Sequence, residues 1–400
     1  MRHVRIPYTV ALVVVGLVLG ALHLVQPLHL TKELLFTLVL PGLIFEASFN
    51  LDAAEFGRNR LAMVTLAIPG VVVAMGLTAA LVSFLLSVTA IDPAFDWRSG
   101  LVFGALIAAT DPIAVVALFK RLHVPQRLSV LVEGESLLND GTSVVLYTIV
   151  VAYAMGAVST VGGMAMDFLK IVGIGVIAGG MVGWIATQVT KRIDEPVIEI
   201  MLTVIAAYGS FGLAEQFHGS GVIACVTAGM ICGTYGWHHG MSQETRLAVD
   251  SFWEYVAFAL NSLVFLLIGL EVQGSALLSN WRPVGIAYFG SLAARAIVVL
   301  AVALLLRLTR ERLPWSWNAV LVWGGLRGAL SMVLALALPA DFPQRETLIQ
   351  LTFGVVLISL LLQGTSISWL LERIGLGSSP PDSRLTASSF SSDRRPGSHR

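Results

Sequence analysis

The chain has 400 residues, of which 56% are hydrophobic and only 12% charged. A soluble domain carries about 25% charged residues, so this composition excludes one and points to a polytopic helical membrane protein. Lysine plus arginine and aspartate plus glutamate are equal at 25 each, so nothing favours nucleic acid as a partner. The two cysteines, Cys225 and Cys232, sit in an apolar segment without CxxC spacing and predict neither a disulfide framework nor a zinc site. The pair His238-His239 reads as a solvated turn rather than a metal site.

Twelve apolar segments follow in chain order, at about 7–25, 32–50, 60–88, 98–119, 128–155, 166–189, 196–216, 219–236, 247–271, 283–306, 314–339 and 346–371. Segments near 20 residues suit one helical crossing, and the longer ones tilt or protrude. No cleavable signal pattern is present, and residues 7–25 read as a retained first span. Placing the N-terminus in the cytoplasm puts eighteen Lys and Arg side chains on that side and five outside, with Arg295 and Arg327 left within spans. This positive-inside bias predicts twelve crossings with both ends cytoplasmic. The Ser/Pro/Arg-rich tail over 377–400 reads as disordered.

The richest stretch is 131–150, LVEGESLLNDGTSVVLYTIV. Charged groups at membrane depth cost several kcal/mol, so they are rare and mostly functional. On a helix Glu133, Ser136 and Asp140 share one face, and Glu135 and Asn139 an adjacent one. A helix entering near Leu128 carries Asp140 roughly 18 Å inward at ~1.5 Å per residue, near the middle of a ~30 Å hydrocarbon core. A solvated helix end accounts for Glu133 but not for Asp140, because apolar sequence continues well beyond it. Other acids, Glu199, Glu215, Glu254 and Glu271, fall near segment ends and read as solvated or snorkelling.

Two segments are interrupted. The fourth reads GALIAATDPIAVVALFK, with Asp111-Pro112 in its middle. The eleventh reads VLVWGGLRGALSMVLALALP, with Gly324, Gly325 and Gly328 around Arg327. They lie seven segments apart and so run in opposite directions, as in an inverted repeat. Interrupted helices at corresponding positions of two inverted halves point to a transporter ion site, where freed carbonyls and half-helix ends meet the cargo. A proline kink alone leaves Asp111 and Arg327 unexplained. The fold class is therefore all-α, about twelve transmembrane helices with two crossing discontinuous ones.

These residues carry a resemblance. LPGLIFEASFNLD with Pro41 and Glu46, AATDPIAVVALFK, LVEGESLLNDGTSVVLY, GVIACVTAGMICG, NSLVFLLIGLEV, Arg295 in the tenth segment and GGLRGALSMVLALALP together resemble the monovalent cation:proton antiporter family. The branch is that of bacterial NhaP-type sodium/proton antiporters and eukaryotic sodium/proton exchangers. Relatives often have one more span before the LPGLIFEASF helix, so one N-terminal helix of the family is expected to be missing here. The resemblance implies that Asp140 is the carboxylate that binds proton and cation, and that Asn139 stands where electrogenic relatives carry a second Asp. It further implies that Thr110, Ser136 and Glu46 join Asp140 as Na⁺ ligands. Asp111 and Arg327 are implied to compensate half-helix dipoles, and Glu135 to pair with Arg295. For Asp111, Arg327, Glu135 and Arg295 structural ion pairing is the favoured role. A transmembrane antiporter domain is expected over 1–376. Its ion-translocation core takes in about 60–155 and 283–371, and its dimer scaffold about 7–50 and 196–271. The expected setting is the bacterial inner membrane, and the expected assembly a homodimer.

Na⁺ is a hard cation that takes oxygen ligands, which these side chains and carbonyls supply. A desolvated carboxylate holds its proton more tightly than one in water, so proton and cation compete near neutral pH, and that competition alone gives exchange. No P-loop, HExxH or GxSxG motif is present, which fits a secondary transporter without a cofactor and not an enzyme. The leading reading is one-for-one Na⁺ (or Li⁺)/H⁺ exchange. A K⁺/H⁺ antiporter is the alternative, and a cation channel is disfavoured by the lack of a filter-like repeat.

Overall fold

The computed structural model describes residues 8–22, 35–92, 94–157, 160–236, 242–271, 281–309 and 311–376. The tail over 377–400, Lys32, His238-His239 and the side chain of Glu271 lie outside these residues. All regular elements among the described residues are helical. They are α1 (Tyr8–Ala21), α2 (Leu35–Phe49), α3 (Ala53–Val88), α4 (Trp97–Leu106), α5 (Ile113–Leu122), α6 (Gln126–Ala154), α7 (Val161–Thr190), α8 (Pro196–Gln216), α9 (Gly221–Gly236), α10 (Gln243–Glu271), α11 (Trp281–Leu306), α12 (Trp315–Trp323), α13 (Ala329–Leu336) and α14 (Arg345–Arg373). Seven of them, α3, α6, α7, α8, α10, α11 and α14, are long and apolar enough to cross a membrane, while α1, α2 and α9 are shorter apolar helices.

Local chemistry sets where the helices start. Asp52 accepts the Ala54 and Glu55 amides, Asp96 that of Ser99, Thr160 that of Gly163 and Ser220 that of Ile223, so each side chain satisfies a donor that the first turn leaves unpaired. Prolines 196 and 314 open α8 and α12 without the loss of a helical bond. The Asp52 cap starts α3 at Ala53, seven residues before the apolar run at 60. Its first turns are polar, with Glu55 paired to Arg58 at 2.6 Å, and protrude. Interruption is also more widespread than in α4/α5 and α12/α13: π-helical turns occur at Leu35–Val39, Leu66–Gly70 around Pro69, Cys232–Gly236 and Ser359–Gln363.

The helices pack in two groups. α1 lies on α10, and α2, α7, α8 and α9 pack on one another. α3 packs on α4 and α11, α4 on α6, and α11 on α14. The segment over 166–189, left out of both expected subdomains, therefore sits with α8 and α9. An apolar cluster of Val13, Leu35, Val39 and Phe265 with Met332, Val333 and Phe353 joins the groups, and α6 packs on α9 and α2 as well as on α4. Arg127, Arg307, Lys191 and Arg373 lie over Trp317, Trp315, Tyr235 and Trp369 at 5.5, 4.3, 4.4 and 5.1 Å. Arg98 and Arg282 lie over Tyr153 and Trp281 at 5.7 and 5.4 Å. Aromatic rings that hold basic side chains are the usual furniture of a membrane interface.

One expectation is corrected. Glu199 is not solvated: it is fully buried in the first turn of α8, and neither carboxylate oxygen has a hydrogen-bond partner. The cause is the packing of α8 on α10, where Trp253 donates to Thr203 at 3.0 Å. Glu215 does stay exposed, with one oxygen accepting the Gly221 amide at 3.1 Å.

Trp253 is wholly buried, 4.9 Å from the Phe45 ring and 5.4 Å from Phe252. Trp253→Ala should destabilise the protein by about 3–5 kcal/mol. Thermal unfolding in detergent checks this, with the exposed Trp184→Ala as the control that should change little.

Candidate functional site: two broken helices against an intact one

α4 stops at Leu106 and α5 starts at Ile113, while α12 stops at Trp323 and α13 starts at Ala329. The two breaks lie against each other. The Asp111 amide donates to the Leu326 carbonyl at 2.8 Å, and Arg327 reaches back to donate to the carbonyls of Ala108 at 3.0 Å and Ala109 at 3.4 Å. The glycines permit this approach. A Cβ on Gly328 would stand 2.8 Å from Asp111 Oδ2, and one on Gly325 would stand 2.8 Å from Arg295 Nη2. The glycine pattern around Arg327 is thus what lets two charged side chains reach the break.

Half-helix ends carry partial charges, positive at the N-terminus and negative at the C-terminus. The side chains match them. Asp111 accepts the Ile113 amide at 3.0 Å at the start of α5 and sits against Gly328, the residue that precedes α13. Arg327 covers the carbonyls that follow α4. Arg295 donates through Nε to the Leu321 carbonyl near the end of α12 at 3.0 Å. Its other nitrogens meet both oxygens of Glu135 at 3.2 and 3.0 Å, in a two-pronged ion pair whose side chains are only 11% and 5% exposed.

The intact helix α6 faces the breaks with three polar residues, Ser136, Asn139 and Asp140. Ser136 donates a short hydrogen bond to the Thr110 carbonyl, and the Thr110 hydroxyl donates to Ser136 Oγ at 3.2 Å. Asn139 donates to the Ala108 carbonyl at 2.9 Å and to Thr110 Oγ1 at 3.2 Å, and its own carbonyl accepts Ser143 Oγ at 2.9 Å. Both ends of that amide are therefore committed. Asp140 is not: it faces the Thr110 backbone amide, but its Oδ1 is sealed from solvent without a partner. The residue as a whole keeps partial exposure. A largely buried carboxylate with one unbonded oxygen, near the oxygens of Thr110 and Ser136 and the carboxylate of Asp111, can take up a proton or a small cation.

Thr110, Asp111, Ser136, Asn139, Asp140 and Arg327 therefore converge on one place, with Glu135 and Arg295 behind it. Glu46 shares no hydrogen bond with them among the described residues. It accepts Asn50 Nδ2 at 2.9 Å, and its charged neighbours are Lys120, Glu133 and Glu254, whereas those of Asp140 are Asp111 and Glu135. Two further residues hold the site and escaped the sequence reading. Ser359 Oγ accepts the Arg327 amide at 3.0 Å and donates to Gln363 Oε1 at 2.6 Å, from the π-helical turn of α14. The signal was present as a polar pair four residues apart in an apolar span.

Helices broken against each other beside an acidic intact helix, in an all-helical membrane protein, define an ion-coupled secondary transporter. A family model described as "Sodium/hydrogen exchanger, transmembrane" matches residues 1–373, and the chain belongs to this family. It is 39% identical over 380 residues to the Na(+)/H(+) antiporter ApNhaP of Aphanothece halophytica, covering 93% of this chain and 70% of that one. To the Na(+)/H(+) antiporter NhaP of Pseudomonas aeruginosa it is 38% identical over 357 residues, covering 86% of this chain and 82% of the relative. The solved sodium proton antiporter MjNhaP1 of Methanocaldococcus jannaschii has the same fold, with a TM-score of 0.73 over 92% of each chain at 18% identity.

The Glu135–Arg295 pair yields a stability test. Arg295→Ala strands a buried carboxylate, and breaking such a pair costs about 3–5 kcal/mol. The double variant Glu135→Gln/Arg295→Gln should be milder than Arg295→Ala in thermal unfolding. A double variant as unstable as the worse single variant would show that the two charges do not act as a pair.

Proposed function

We propose that this protein exchanges Na⁺ or Li⁺ for H⁺, one for one, by alternating access, with Asp140 as the single carboxylate that carries either. The observation that carries this reading is the contrast between neighbours on α6. Asn139 is bonded at both ends and has no titratable group, Glu135 is held by Arg295, and Asp140 alone keeps a sealed oxygen without a partner. Arg295 meets both oxygens of Glu135, so that carboxylate is committed to the ion pair. Cation and proton then compete for Asp140, and the names of the relatives, all Na(+)/H(+) antiporters among those compared above, support Na⁺ as the cargo.

The cation's ligands are Asp140 with the oxygens of Ser136 and Thr110, and Glu46 is the one member of the expected set that the geometry does not favour. Asp111, Arg327 and Arg295 act on the half-helix charges. We assign the chain twelve crossings with both ends cytoplasmic and an inverted repeat around the two broken helices. The arginines stacked on tryptophans at 127, 307 and 373 fit an interfacial position for those basic segments. The core is the α3–α6 and α11–α14 group, which moves against the α1, α2 and α8–α10 scaffold, and the homodimer contact falls on the scaffold.

Proteoliposomes loaded with a pH dye test the assignment. Asp140→Asn should abolish Na⁺-driven proton movement while the protein still folds and inserts; appreciable exchange in that variant would remove Asp140 from the central role. A series of Na⁺, Li⁺ and K⁺ decides the cargo, and K⁺ as the best substrate would replace the Na⁺ assignment.

Stoichiometry is tested by voltage. One elementary charge moved across 100 mV is worth roughly 2.3 kcal/mol, so an electrogenic cycle would respond strongly. Exchange should run at the same rate with and without a valinomycin-imposed potential. A clear voltage dependence would point to a second proton carrier, Glu46 or Glu135.

A further inference from the structure

Away from the ion site, an apolar groove of about 520 Å³ opens on the side of the molecule between α11, α12 and the end of α14. Leu300, Ala319, Val322, Trp323 and Leu370 line it, with the exposed rings of Trp315 and Trp369 at its mouth. Trp323 lies eight residues beyond Trp315, so the groove runs roughly 12 Å inward from the mouth. This is the size range of a small-molecule site. At the mouth Arg307 lies over Trp315 at 4.3 Å and Arg373 over Trp369 at 5.1 Å. Both arginines are exposed, and neither forms an ion pair among the described residues, although Glu372 is an exposed neighbour of Arg373.

A second observation is independent of the arginines. Asn318 lines the groove, is only 3% exposed, and its side-chain carbonyl has no hydrogen-bond partner. A buried amide oxygen left bare is costly, and here it waits for a donor inside an otherwise apolar slot, one turn from the basic mouth.

We infer that this groove is a binding site for an anionic phospholipid with a hydroxylated headgroup, its acyl chain along Leu300, Val322 and Leu370, its phosphate at Arg307 and Arg373, and a headgroup hydroxyl donating to Asn318. Three features favour this occupant over a second protein copy. The groove is lined mainly by apolar side chains, the charge is confined to its mouth, and that mouth lies at an aromatic–basic interface, where basic side chains attract anionic headgroups. The site also touches the transport core. Trp323 forms its inner wall, donates to Ser366 at 2.8 Å, and immediately precedes the break that holds Arg327. An occupied groove therefore braces the half-helix α12 from outside.

The test uses the full chain in detergent. Native mass spectrometry after delipidation would compare retention of phosphatidylglycerol and phosphatidylcholine with identical acyl chains. The wild-type protein should retain at least threefold more phosphatidylglycerol, and Asp140→Asn should keep that preference. Arg307→Gln/Arg373→Gln should bring the ratio close to one. Ala319→Trp, which places a large ring on the exposed lining of the groove without a change of charge, should lower retention of both lipids. Exchange measured in proteoliposomes verifies that Arg307→Gln/Arg373→Gln and Ala319→Trp are folded, and cooperative thermal unfolding in detergent does so for Asp140→Asn. Equal retention of the two lipids by the wild-type protein would overturn the assignment, and so would an undiminished preference in Arg307→Gln/Arg373→Gln or a dimer contact that occupies the groove in place of lipid.

Discussion

Two helices stop and restart against each other in the interior of the protein, where the backbone groups they release are buried and must be bonded within the molecule. Every other feature of the site answers that constraint. Asp111 serves the N-terminal ends, and Arg327 and Arg295 the C-terminal ends. The broken chains also bond each other, through the Asp111 amide and the Leu326 carbonyl. Once the breaks are satisfied by fixed charges, Glu135 is needed to balance Arg295, and Asn139 and Ser136 clamp the α4–α5 connection to α6. Among the polar side chains that α6 turns to the breaks, Asp140 is the one left with an unpartnered oxygen. The candidate ion site is thus a place on α6 where a buried oxygen beside the breaks is left without an internal partner.

That arrangement separates structural charge from working charge. Asp111, Arg327, Glu135 and Arg295 are engaged by the backbone or by each other, and a change in the protonation of any of them would unbalance the half-helix ends. Asp140 can change its occupant with little effect on them, because its own geometric commitment is limited to the Thr110 amide. The π-helical turn of α14 extends the same logic outward. By widening the helix at Ser359–Gln363 it presents Ser359 to the Arg327 amide, so the break is held from a third helix.

Much of this was legible in the sequence because membrane burial makes polar residues conspicuous. Asp140 stood out from its apolar continuation, and Asp111-Pro112 and the glycines around Arg327 marked both breaks. The pairing of Glu135 with Arg295 was different: 160 residues separate them, no periodicity links them, and only the family resemblance joined them in advance. Glu199 was misjudged because a residue one turn inside a helix can face water or a neighbouring helix, and only the packing of α8 on α10 decides which. The position of Glu46 depended in the same way on how α2 meets the core. The early start of α3 was hidden because its first turns are polar and protrude beyond the apolar run, so hydropathy alone placed the boundary at 60. The Ser359 and Gln363 pair was visible but had no recognisable partner until the fold brought α14 to the break.

The central claim is that proton and cation compete for one carboxylate, and it can be measured without transport. Purified protein in weakly buffered detergent solution, at a pH where Asp140 is protonated, would be titrated with Na⁺ while released protons are counted, against choline as the ionic-strength control. Close to one proton should leave per Na⁺ bound, and Asp140→Asn should release none. Saturable Na⁺ binding with no proton release from the wild-type protein, or with two protons released, would contradict the account.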